Sequence, residues 1–145
     1  MKLHLLTVGE PKLEYAKEGW DLYLGRLQRY HTVRTTHIPD KHAYDAEQFR
    51  RRAGENVFTV AMTAEGQEMN SEHLATFLDN RTLEAREVCF MIGGPEGLPD
   101  EIVERAHLQW SLSRLTFPHD LAMVVLAESL YRASTINAGH PYHKR

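Results

Sequence analysis

The chain has one cysteine, no apolar run long enough to span a membrane, and no strong excess of either charge. Cys89 has no partner for an intrachain disulfide, which suits a reducing compartment and a packing role. No signal-peptide pattern opens the sequence, so a soluble cytoplasmic protein without a membrane partner is expected. A net charge of −3 excludes a protein that grips nucleic acid by overall basicity. Familiar catalytic signatures are missing as well. There is no Walker-type loop, no Gly-x-Gly-x-x-Gly after the first strand and no His-Glu-x-x-His. His140 and His143 stand three apart, but Pro141 lies between them and no cysteine cluster supplies further ligands, so no metal site is expected.

What is present is 145 residues without repeats, linkers or low-complexity stretches, read as a single domain over 1–145. The charge is uneven. Residues 1–52 carry 10 Lys/Arg against 7 Asp/Glu, residues 53–106 carry 3 against 11, and residues 107–145 carry 4 against 2. Any RNA is therefore expected to meet the two ends of the chain, although ordinary solvated charge gives the same counts. Arg50, Arg51 and Arg52 share this ambiguity: they suit either phosphate contact or a solvated helix face.

The pattern along the chain predicts alternating strands and helices. Leu3–Val8 reads as a strand, and Pro11 suits the start of a helix. Leu13, Ala16, Trp20, Tyr23, Leu24, Leu27 and Tyr30 recur at three- and four-residue steps, predicting a helix over 12–30. Val33–Ile38 reads as a strand, Lys41–Asp45 as a polar loop and Ala46–Ala53 as a short helix. Val57–Met62 is a third strand, with Ser71 as N-cap of the following helix. Glu87–Ile92 is a fourth strand, Pro99 starts a helix, and Trp110–Leu112 forms a short fifth strand. Such alternation implies a mostly parallel α/β sheet flanked by helices.

The last helix, from about Asp120 to Ile136, is apolar on every face over Leu121–Ala127. A helix on a monomer's surface needs a polar side, so this one should be buried all round, either in a homodimer interface or threaded through the monomer core. Glu128 and Arg132, four apart, can pair with each other, and an unpaired charge there would be costly.

Residues 88–97, Val-Cys-Phe-Met-Ile-Gly-Gly-Pro-Glu-Gly, break from a doubly buried strand into a glycine loop. Loops at the carboxyl ends of parallel strands are where α/β proteins bind ligands. A tight turn without a ligand fits these residues equally. Downstream come Trp110-Ser111-Leu112-Ser113-Arg114-Leu115-Thr116-Phe117-Pro118-His119, then Glu128-Ser129-Leu130-Tyr131-Arg132-Ala133, then His140-Pro141-Tyr142-His143-Lys144-Arg145.

With these motifs in this order, the chain resembles the ribosomal RNA large-subunit methyltransferase H family of the SPOUT superfamily, from its first strand to its last residue. The resemblance implies a deep C-terminal trefoil knot, a homodimer, S-adenosylmethionine as methyl donor, and a pseudouridine N3 in 23S ribosomal RNA, on the assembled ribosome, as acceptor. Residue by residue, it implies a donor pocket made by Met62 and Thr63, by Gly94, and by Ser113, Arg114, Leu115, Thr116, Phe117 and Pro118. Leu115 and Phe117 would wall the adenine, whereas without the family they read as core residues. Tyr142, His143 and Arg132 are the catalytic expectations. His119, His140, Lys144 and Arg145 are the substrate-binding ones, with the tail reaching the partner protomer's pocket. Lys144 stands where the family leads one to expect arginine, which keeps the charge but loses a bidentate phosphate grip. The rivals are a related SPOUT enzyme acting on transfer RNA and a non-catalytic ribosome-binding factor.

Overall fold

The computed structural model describes residues 1–144. Arg145, expected to contact substrate, lies outside the described residues. Five parallel strands form one sheet in the order β2-β1-β4-β3-β5: β1 (Lys2–Val8), β2 (Thr32–Ile38), β3 (Phe58–Glu68), β4 (Val88–Ile92) and β5 (Leu108–Ser111). Between them run α1 (Glu14–Leu27), α2 (Ala46–Ala53), α3 (Ser71–Leu83) and α4 (Asp100–Arg105), and the chain closes on α5 (His119–Ala138).

The strand period of two assigns side chains to two layers. Leu3 and Leu5 of β1 join Val88, Phe90 and Ile92 of β4 beneath α1, α3 and α5. Leu6, Val8, Cys89 and Met91 face α2 and α4 on the other side. Every residue of β4 is buried, as its uninterrupted apolar sequence requires. Cys89 is buried among them, and desolvation pushes its thiol up to about 12, which removes it from nucleophilic chemistry.

Three local expectations are corrected. The N-cap of α3 is Asn70, not Ser71: its side chain accepts from the His73 amide at 2.7 Å. Lys41–Asp45 is not wholly irregular, since a 3-10 turn covers Asp40–His42. The third strand does not stop at Met62. Both Met62 and Gln67 pair with Trp110, so the residues between them leave the ladder as an excursion before β3 resumes. Gly66 permits this return, because a Cβ there would lie 2.6 Å from the Gln109 carbonyl carbon.

For α5, the alternative of complete burial in the monomer core is the one that does not hold. It packs on α1 and α3, but it is not buried all round within one chain. Met123, Leu126, Ala127, Leu130 and Ala133 are buried, whereas Leu121, Ala122, Val125 and Ser129 remain partly exposed along the opposite side. No helix among the described residues is long and apolar enough to cross a membrane.

Candidate functional site

Three loops meet at the carboxyl ends of β3, β4 and β5, beside the first turn of α5, and enclose a cavity of about 860 Å³. The β3 excursion supplies Met62, Thr63, Ala64 and Glu65, the loop after β4 supplies Gly93 to Leu98, and the loop after β5 supplies Leu112, Ser113 and Leu115 to Pro118. Ile92 and Trp110 lie at its base, with His119 and Ala122 of α5 completing the wall. The volume falls in the range of small-molecule sites, and apolar walls with a few polar groups are their usual chemistry.

The glycine loop is closed by a Gly97 amide donating to the Gly94 carbonyl at 2.9 Å, with Gly97 at φ +90°. Gly93 is the position that backbone crowding demands: a Cβ there would come within 2.3 Å of the Gly97 carbonyl carbon and 2.5 Å of the Leu98 nitrogen. At Gly94 a Cβ would meet only Val8 and Ala43, at 3.4 and 3.5 Å. The loop after β5 is held by Ser111 Oγ donating to the Ser113 carbonyl and by the Leu115 amide donating to Ser113 Oγ. Leu115 is 73% exposed while lining the cavity, so it is not the core residue that its type suggests.

Of the nine residues expected to hold the donor, eight line this cavity: Met62, Thr63, Gly94, Ser113, Leu115, Thr116, Phe117 and Pro118. Arg114 does not. Its guanidinium turns away to donate to the Ala64 carbonyl at 2.6 Å and to pair with Glu68 at 3.0 Å. It therefore laces the loop after β5 to the β3 excursion. Glu65 is a cavity residue that the sequence reading missed, since nothing in a polar stretch after a strand announces an excursion. Thr63 donates to it at 2.7 Å and lowers its pKa.

The tail forms a second cluster on the far part of α5. Glu128 accepts from Arg132 Nη2 at 2.8 Å and from the Tyr142 hydroxyl at 2.8 Å. The Arg132 guanidinium carbon lies 4.8 Å from the Tyr142 ring centroid, and the Tyr142 and Tyr131 centroids are 4.6 Å apart, edge to face. His143 Nδ1 is 3.3 Å from Arg132 Nη1, and its Nε2 is 3.4 Å from Glu72. Burial, then the bond to Glu128, raises the Tyr142 pKa, so its hydroxyl stays protonated. His140 and Lys144 are exposed.

Within one chain, the two clusters are not joined. At 1.5 Å rise per residue, Glu128 and Arg132 lie about 13 and 20 Å along α5 from His119. Among the described residues no group of His, Cys, Asp and Glu is arranged to hold a metal ion.

Residues 1–143 match the family described as predicted SPOUT methyltransferase. The ribosomal RNA large subunit methyltransferase H of Deinococcus deserti is 49% identical, over 99% of this chain and 100% of that protein. Among solved structures, a probable methylase family protein from Haemophilus influenzae aligns with a TM-score of 0.57 at 10% identity, over 99% of this chain and 70% of the other. The SpoU methyltransferase AviRb from Streptomyces viridochromogenes, in complex with AdoMet, aligns with a TM-score of 0.50 at 12% identity, over 96% of this chain and 61% of the other. At such identities the two structures speak for the fold alone.

Proposed function

The chain belongs to the SPOUT methyltransferase family, and on that premise we propose that it methylates N3 of a pseudouridine in large-subunit ribosomal RNA, with S-adenosylmethionine as donor, on the assembled ribosome. The observation that carries this reading is the three-loop cavity at the strand ends. Its residues fit the donor: exposed Leu115 with Phe117 offers an apolar slot for a flat base, and the Gly93–Gly97 loop lets backbone amides and carbonyls approach a nucleoside. The bound donor supplies an activated methyl group. The protein's task is then to orient the two reactants and to help a proton leave the attacking nitrogen.

The tail cluster performs the second task in this reading. Glu128 orients Tyr142 and Arg132, and Tyr142, kept protonated with its one proton on Glu128, offers its hydroxyl oxygen as a hydrogen-bond acceptor to the target base rather than acting as the base that deprotonates it. His143, set between Arg132 and Glu72, completes the cluster. Since tail and cavity are separated along α5 in one chain, the active unit is a twofold homodimer. The partly exposed Leu121, Ala122, Val125 and Ser129 would form its seam, and an antiparallel pair of α5 helices would carry one protomer's tail to the other's cavity. The trefoil knot belongs to the same reading, with the segment after β5 passing under the β3 excursion to which Arg114 ties it.

The deciding experiment is transfer of labelled methyl from S-adenosylmethionine to large subunits or whole ribosomes, compared with protein-free ribosomal RNA and transfer RNA. Label confined to assembled ribosomes, at a pseudouridine, is expected. Transfer to transfer RNA would favour a related SPOUT specificity, and no transfer to any of them a non-catalytic factor.

A further inference from the structure

The first turn of α5 holds a buried carboxylate that the reading above does not use. Asp120 is 7% exposed. Its Oδ2 accepts from two backbone amides, Lys12 at 2.9 Å and Leu13 at 2.7 Å. Those bonds cap the start of α1, whose own N-cap residue, Leu13, has no side-chain acceptor to offer. The other oxygen, Oδ1, lies 3.4 Å from Nδ1 of His119. His119 lines the cavity, and its Nε2 is buried with no partner among the described residues.

A carboxylate only accepts hydrogen bonds, so the ring nitrogen facing it must carry a proton. In a neutral imidazole the other nitrogen is then an unprotonated acceptor. A buried ring nitrogen left unpaired needs a reason in a native structure, and here it belongs to a residue that lines the cavity. We propose that Asp120 is a positioning residue that holds His119 in the Nδ1-protonated form, so that Nε2 accepts a hydrogen bond from an N–H or O–H of the bound methyl donor. This rests on reading the cavity as the S-adenosylmethionine pocket.

Asp120→Asn separates this role from the clamp on α1. The amide oxygen can keep both backbone bonds, while its NH₂ faces Nδ1 and donates to it. The imidazole proton then moves to Nε2, and the acceptor in the wall becomes a donor. Nitrogen-15 spectra of histidine-labelled protein without ligand should show His119 protonated at Nδ1 in the wild type and at Nε2 in Asp120→Asn. Calorimetry should show S-adenosylmethionine affinity falling about tenfold in Asp120→Asn, the scale of one mismatched hydrogen bond. His119→Gln places a carbonyl oxygen near the Nε2 position without needing Asp120, so adding it to Asp120→Asn should restore most of the affinity. Methylthioadenosine, which lacks the amino-acid half, locates the donor group: a retained Asn penalty assigns it to the nucleoside, and a lost penalty to the ammonium. An Nε2-protonated wild type, an unchanged tautomer in Asp120→Asn, or unchanged affinity in that variant overturns the proposal. Wild-type protein that binds no S-adenosylmethionine overturns the pocket reading instead, and leaves the ligand-free tautomer result standing on its own.

Discussion

The Tyr142 hydroxyl donates to Glu128 Oε2 across 2.8 Å, on a carboxylate that already receives Arg132 Nη2 at the same distance. Two residues donating to one oxygen make Glu128 the hub of the tail. Tyr142→Phe keeps the ring against Tyr131 and removes one hydrogen bond to a charged group at a partly exposed site. It should cost about 1 kcal/mol in chemical denaturation. If the hydroxyl positions the target base, kcat on ribosomes should fall at least ~10-fold while donor affinity holds. A variant with wild-type turnover would release Tyr142 from the mechanism.

Removing the chain from His140 onward tests the tail as a unit. A frayed end would be lost at no cost, but Tyr142 packs against the main core cluster and pairs with Glu128. The deletion should lower stability by about 1–2 kcal/mol. Ribosome methylation should nearly vanish, with S-adenosylmethionine still bound. Equal activity in a tail-deleted protein would move the catalytic assignment inward along α5.

The two glycines of the β4 loop should behave differently. Gly93→Ala forces a Cβ against backbone that has little room to yield, so thermal melting should fall markedly. Gly94→Ala meets Val8 and Ala43 at ordinary contact distance and should melt near the wild type. Calorimetry on Gly94→Ala then reports the donor pocket alone, and affinity unchanged there would exclude Gly94 as a point of close backbone approach.

Val125→Asp addresses assembly. Val125 is partly exposed in a single chain, so an aspartate there is solvated in the monomer and becomes an uncompensated charge only in an α5 seam. The variant should fold, by circular dichroism, yet run as a monomer in light scattering and lose methyl transfer. A wild-type protein that is itself monomeric at micromolar concentration would remove the shared-site arrangement.

Acid stability follows from two histidines, His4 buried and His31 half-buried. Desolvation first, then Arg34, lowers His4 to about 4, while desolvation and the chain's amino terminus lower His31 to about 4. Both folded values lie below the ordinary 6.5, so the unfolded chain binds more protons than the native one and stability rises with pH. Their contribution is complete above pH 6.5 and is lost as pH falls from there toward 4. Melting temperature should drop across that window, and less steeply in His4→Gln, which can still bond Thr36 but does not titrate. A melting curve flat from pH 7 to 4 would contradict the desolvation of both rings as neutral groups.

The sequence by itself determined the layered α/β order, because strand and helix periods are local properties of side-chain spacing. Val88–Ile92 is apolar at every position and is buried at every position. The helix spacing of Ala16, Trp20 and Leu27 put those residues in the core. The family resemblance that the motifs carry also drew together eight residues that line one cavity. Tertiary structure decided what depends on approach between distant segments. The excursion between Met62 and Gln67 exists because both pair with Trp110, some fifty residues downstream in a different strand. Arg114 leaves the cavity because the Ala64 carbonyl and Glu68 are within its reach. Asp120 reads locally as an ordinary acidic residue in a helix's first turn, and only the fold puts its carboxylate against the amides of Lys12 and Leu13. Spacing along the chain records which residues share a face, whereas hydrogen-bond partners are set by the three-dimensional meeting of faces.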